Sequence, residues 1–161
     1  FINRYNIICP LKKSSKTNIN KIVRFWKSLN MKIEIMSAKE HDKVLSLTSH
    51  LPHLISYSLV LTAMKKESSL NSKLVKFSAG GFRDFTRLAS SDPTMWRDVF
   101  LNKSEAVLEM LQRFNEDLSA LQKLIRKKDS NELYNFFKNS KEIRNKIIEA
   151  KQHLPEASKL K

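Results

Sequence analysis

Arginine, aspartate and glycine are concentrated in one short stretch, Gly80-Gly81-Phe82-Arg83-Asp84-Phe85-Thr86-Arg87. Gly80 and Gly81 are the only glycines of the 161-residue chain. Glycine serves where φ must be positive or where a ligand comes close to the backbone, so this pair marks one special backbone site. A guanidinium beside such a turn is suited to bidentate capture of a carboxylate. Arg83 and Arg87 stand four apart and share a face if residues 82–90 are helical. The plainer alternative is a surface ion network of Arg83, Asp84 and Arg87.

A second cluster is Ser49-His50-Leu51-Pro52-His53. His50 and His53 are a weak candidate metal pair, without a carboxylate partner nearby. Alone, each reads more simply as a satisfied, partly buried imidazole; together, beside a proline and near Tyr57, they point to a functional site. No cysteine cluster could hold zinc, and no glycine-rich loop could cradle a phosphate. Asp92-Pro93 is a strong helix start, aspartate as N-cap and proline at the first helical position. Met95 and Trp96, just inside it, read as core.

These groups must be positioned by a mainly α fold. Residues 5–9, Tyr5 to Cys9, form a short apolar β-branched run closed by Pro10, which reads as a buried strand. Ile19, Ile22, Trp26 and Leu29 predict a helix capped by Thr17 or Asn18. Met31 to Ile35 alternates as a strand with one wet face. Residues 1–37 thus read as the β-α-β end of an α/β domain, followed by an all-helical domain over 38–150 and a frayed tail, 151–161. In the helical part, Asp42 to about Met64 predicts one long helix bent at Pro52. Val107, Leu111, Phe114, Leu118, Leu121 and Ile125 repeat with 4-3-4-3-4 spacing, a seam for internal packing or for a second subunit. Asp129-Ser130-Asn131-Glu132 predicts the cap of a last helix with Leu133, Phe136, Phe137, Ile143 and Ile147 inward.

Composition narrows the function classes. A hydrophobic share of 41% is enough for a core. The net charge of +14 would suit a basic helical nucleic-acid-binding module. The lysines are spread along the whole chain, however, which favours a solvated basic surface. One cysteine, Cys9, rules out an internal disulfide and suggests a reducing compartment. No apolar run approaches the roughly 20 residues of a membrane span. The chain begins at Phe1 without methionine and runs directly into a strand, as a piece of a longer protein would.

At the glycine and arginine residues the chain resembles a known family. Gly80-Gly81-Phe82-Arg83-Asp84-Phe85-Thr86-Arg87, continuing through Asp92-Pro93-Thr94-Met95-Trp96-Arg97-Asp98, resembles the signature of the prephenate/arogenate dehydrogenases. His41-Asp42 with Ser49-His50-Leu51-Pro52-His53 resembles that family's other C-terminal motif, and Asn3 to Pro10 the strand closing its nucleotide domain. The resemblance implies a short remnant of a Rossmann domain ahead of a helical dimerisation domain. It implies oxidative decarboxylation of prephenate or arogenate with NAD or NADP, the cofactor held mainly by the part upstream. The catalytic histidine is also expected upstream; none of His41, His50, His53 or His153 matches its motif, and the fragment alone is expected to be inactive. Within this chain the resemblance implies that Arg87 anchors a substrate carboxylate, that His53, Gly80 and, less securely, His50 line the pocket, and that Asp84 and Trp96 lie at the dimer interface and gate it. It implies a cytoplasmic homodimer, with neither nucleic acid nor membrane as partner and no metal.

Overall fold

A computed structural model describes residues 4–65 and 76–149. The tail expected to fray, and His153, lie outside the described residues. The chain divides into two compact units, Phe1–Ala38 with Asn115–Lys161, and Lys39–Phe114.

In the first unit, strands β1 (Tyr5–Ile8) and β2 (Lys32–Ile35) pair in parallel, with Tyr5 opposite Lys32 and Ile8 opposite Ile35. Parallel neighbours need a crossover, supplied by helix α1 (Lys16–Ser28). The expected β-α-β unit is therefore present, but the burial expected of its first strand is corrected: Tyr5 is 55% and Ile7 36% exposed, since in the described residues only β2 pairs with it. Its helix starts before the expected Thr17 or Asn18: Ser15 is the cap, extended at φ −68° and ψ 133°. Its carbonyl takes the Ile19 N–H at 3.0 Å, while its hydroxyl makes no cap bond. The chain leaves α1 through Asn30 at φ 59°, a left-handed conformation that asparagine tolerates.

The end of the chain forms helix α7 (Ser130–Glu149). Asp129 caps it as expected, its carboxylate accepting the Glu132 N–H at 3.1 Å. The expected inward stripe is corrected: Phe136, Phe137, Ile143 and Ile147 are 39%, 58%, 61% and 42% exposed, and Leu133 is half-buried. An amphipathic helix hides its stripe only where another surface lies on it, and the described residues of this chain leave these side chains open.

In the second unit, helix α2 (Ala38–Leu45) runs through a π-helical stretch (Ser46–His50) into α3 (Leu51–Met64). The expected helix thus begins at Ala38 rather than Asp42. Its interruption lies just ahead of Pro52, where the Leu51 N–H donates to the Ser46 carbonyl five residues back. Proline has no N–H to give the carbonyl four residues earlier, and the wider π turn falls where that ladder fails. By length and composition Ala38–Met64, 27 residues, is long and apolar enough to cross a membrane, which corrects the expectation that no segment reaches that length. Here α3 packs on α4 (Gly80–Thr86) and on the 3₁₀ turn Arg87–Ser90.

Helix α5 (Pro93–Asn102) is capped by Asp92, whose Oδ1 accepts the Met95 N–H at 2.7 Å. Helix α6 (Ser104–Lys127) carries the long seam. Val107 is 3% exposed and Leu111 and Phe114 are half-buried, but Leu118 and Ile125 are 46% and 57% exposed. Its first half serves internal packing; in its second half Leu121 is half-buried while Leu118 and Ile125 are open. Leu51, Trp96, Val107 and Met110 are the buried apolar side chains among the described residues.

Candidate functional site

All the candidate residues lie in the second unit, on α2–α3, α4, the 3₁₀ turn and α5. Asp92 and Pro93 start α5 so that Trp96 falls on its inner face, 6% exposed. Its indole stacks on the His53 imidazole, with centroids 3.9 Å apart and planes at 25°. His50 meets the same indole edge-on at 6.0 Å, and Phe100 packs at 5.4 Å. The core reading of Trp96 is thus borne out, whereas that of Met95 is corrected: its side chain is 50% exposed. Both imidazoles are turned onto the indole rather than toward a common ion, and the described residues contain no group of three metal-ligating side chains.

The histidines differ in chemistry. His53 Nδ1 lies 2.8 Å from the Ser49 carbonyl. A carbonyl only accepts, so Nδ1 carries a proton and Nε2 is the ring position left for a ligand. His50 is 7% exposed, and its Nδ1 is buried without a hydrogen-bond partner. Burial pushes its pKa below the ordinary histidine value, against the opposing pull of the Asp42 charge. His50 is therefore a neutral imidazole at neutral pH.

Beside them is a pairing that sequence reading missed. Lys103 Nζ donates to the Asp42 carboxylate at 2.8 Å across 61 residues of sequence, and His41 Nδ1 stands 3.0 Å from the same group. Burial pushes the Asp42 carboxyl up, but hydrogen bonds from Lys103 and His41 outweigh it and hold the pKa below the usual carboxylate value. A cleft of about 470 Å³ opens alongside, walled by His41, His50, Met95, Val99 and Lys103 among others. The adjacent His41-Asp42 was legible; nothing in the sequence signalled Lys103.

Gly80 and Gly81 begin α4, with Ala79 as the extended cap. Neither glycine has positive φ, so that reason for the pair is corrected. Nor does close packing require them: a Cβ at either position would meet nothing among the described residues within 4 Å. Arg87 opens the 3₁₀ turn and is exposed. Among the described residues its guanidinium has no hydrogen bond or ion pair, and the same holds for the side chains of Arg83 and Asp84. The alternative of a surface network among these three is not what the structure forms. The turn itself is tied to α3: Ser56 Oγ donates to the Phe85 carbonyl at 3.0 Å, and the Tyr57 hydroxyl to the Ser91 carbonyl at 2.6 Å.

An exposed guanidinium and an oriented imidazole thus lie on one helical scaffold. Residues 37–139 match the dimerization domain of prephenate dehydrogenase. The chain belongs to the prephenate dehydrogenase family, as the sequence resemblance indicated. It is 38% identical over 138 residues to a cyclohexadienyl dehydrogenase of Zymomonas mobilis, covering 86% of this chain and 47% of that protein. It is 34% identical over 144 residues to a prephenate dehydrogenase of Bacillus subtilis, covering 89% and 38%. A crystal structure of prephenate dehydrogenase from Aquifex aeolicus, in complex with hydroxyphenyl propionate and NAD+, superposes with a TM-score of 0.83 at 37% identity, over 89% of this chain and 50% of that one. The chain spans about half the length, or less, of these relatives. The mainly helical class with a small parallel sheet is confirmed.

Proposed function

We propose that this chain is the substrate-binding and dimerisation part of an NAD- or NADP-dependent prephenate or arogenate dehydrogenase, the enzyme that oxidatively decarboxylates its substrate to an aromatic product. The observation that carries the reading is Arg87: an exposed guanidinium, unpaired among the described residues, on a braced turn in the segment that matches the family. Arg87 takes a substrate carboxylate as a bidentate pair. His53 presents Nε2 to the substrate, with Trp96 holding its ring and His50 as the neutral imidazole behind. Gly80 leaves room for the ligand to approach, and exposed Asp84 stands toward the second subunit; Trp96, expected beside it, is buried and acts on the pocket by packing on His53.

The chain itself offers no dinucleotide cradle, since its two glycines do not form a Gly-x-Gly-x-x-Gly loop. The cofactor, which would supply the hydride acceptor, and the catalytic histidine are assigned to a nucleotide-binding domain outside this chain. The open stripes of α6 and α7 are assigned to a second copy, giving a homodimer. Free Cys9 favours a cytoplasmic setting.

The test is to assay the natural polypeptide containing this chain for NADH or NADPH formation with prephenate and with arogenate, and to titrate it with hydroxyphenylpropionate in the presence of NAD+. Turnover of either substrate is expected. No turnover and no binding, together with salt-sensitive binding of nucleic acid, would replace this reading with the basic-module one.

A further inference from the structure

The Arg87 turn is built from two short helical pieces, α4 and the 3₁₀ stretch, which are too short to hold a geometry unaided. Two hydroxyls on adjacent residues of α3 brace it from the same side. Ser56 is fully buried, and its Oγ donates to the Phe85 carbonyl, two residues before Arg87. Tyr57 donates at 2.6 Å to the Ser91 carbonyl, four residues after it. Ser91 closes the turn locally, with its Oγ and its N–H both donating to the Leu88 carbonyl, at 2.8 and 3.3 Å. The two long bonds bridge 29 and 34 residues of sequence, so they fix this turn against α3 rather than merely stabilise it locally.

We propose that Ser56 and Tyr57 are positioning residues for Arg87, a pair of struts that aim the guanidinium at the substrate carboxylate. The proposal rests on the assignment of Arg87 as the anion anchor. A bidentate pair depends on direction as well as distance, and an anchor on a loose turn must be ordered at each binding event. The struts place that ordering in the folded protein. Neither hydroxyl needs to touch the substrate, and their removal leaves the guanidinium chemically intact.

The test compares Tyr57→Phe, Ser56→Ala and Arg87→Ala, each alone and with the strut variants placed in the Arg87→Ala background, in the natural polypeptide containing this chain. Circular dichroism confirms that each variant folds, and the readouts are the Kd for hydroxyphenylpropionate with NAD+ present, and KM and kcat. Each strut variant is expected to weaken ligand binding and raise KM on the order of three- to tenfold, the worth of one neutral hydrogen bond, with kcat little changed. In the Arg87→Ala background the same substitutions are expected to have no further effect. Amide hydrogen exchange over residues 85–91 should accelerate in the strut variants. Unchanged Kd and KM in both strut variants, beside a clear loss in Arg87→Ala, would overturn the struts and leave the anchor standing. Effects that add in full to that of Arg87→Ala would show a merely structural role and overturn them too. An Arg87→Ala protein that binds as tightly as the parent, or a parent that does not bind, would remove the anchor and the struts with it.

Discussion

The Trp96 indole lies almost flat on the His53 imidazole, 3.9 Å between centroids, while Ser49 holds the same imidazole through Nδ1 at 2.8 Å. One ring is thus fixed in plane, rotation and tautomer by two different elements, α5 and the π turn. Removing the indole removes buried area and the stack together. Trp96→Ala is expected to lower the unfolding free energy by about 3–5 kcal/mol. Trp96→Phe should retain most of that stability yet weaken hydroxyphenylpropionate binding, because a smaller ring leaves His53 less constrained. Chemical denaturation with ligand titration on the same samples checks both; equal stability of Trp96→Ala and the parent would contradict the packing.

Arg87→Ala removes a charge-assisted pair without disturbing any bond seen in the described structure. It should raise KM by roughly 30- to 150-fold, or about 2–3 kcal/mol, with little loss of stability. Steady-state kinetics and thermal melting separate the two effects. Arg87→Lys should recover only part, since an ammonium cannot reproduce the planar fork.

Asp92→Ala leaves the first turn of α5 without its acceptor. A loss of about 1 kcal/mol is expected, and Asp92→Asn or Asp92→Ser should restore most of it. Denaturant midpoints at constant slope would report this.

Acid should loosen the second unit in stages. The pKa of His50 is depressed in the fold by burial, so the unfolded chain takes up its proton first. The contribution of neutral His50 is complete above its ordinary value of 6.5 and falls away as pH drops below it. Asp42 is also depressed, with burial outweighed by Lys103 and His41. Its contribution is complete above the ordinary 3.8 and is lost at still lower pH. Melting temperature should therefore decline first below about pH 6.5, and His50→Phe should flatten that first decline while leaving the second. A parent protein whose melting temperature is flat from pH 7 to 5 would exclude the His50 part.

The open stripe of α7 predicts self-association. Sedimentation at micromolar concentration should show a dimer, and Phe137→Asp with Ile143→Asp should give a monomer whose secondary structure is kept, because both side chains are more than half exposed in one copy.

Local signals carried the legible part of this fold. An apolar run closed by Pro10 gave one strand and alternation the other, 3–4 spacing gave the helices, and Asp92-Pro93 and Asp129 gave caps that the hydrogen bonds bear out. What could not be read is long-range or cooperative. Ser56 and Tyr57 looked like ordinary helix positions, since their acceptors are carbonyls 29 and 34 residues away. Lys103 was one lysine among many until it met Asp42. Pro52 announced an interruption, but how the ladder relaxes depends on packing, which produced a π turn ahead of it. The stripe of α7 was legible as apolar, but periodicity says which face wants cover and is silent on whether the same chain provides it. Of the site, the motif residues could be listed from sequence, and the packing of His50 and His53 on one indole could not.

The empty space around Gly80 and Gly81 has an experimental use. A methyl group added at either position meets no neighbour among the described residues and would stabilise the helix by roughly half to one kcal/mol. No described residue opposes a methyl group there, so an intolerance to alanine would be imposed by something other than the described part of this chain. These two positions therefore act as silent reporters: a substitution the protein welcomes and a visitor refuses would give the outline of whatever comes to rest on them.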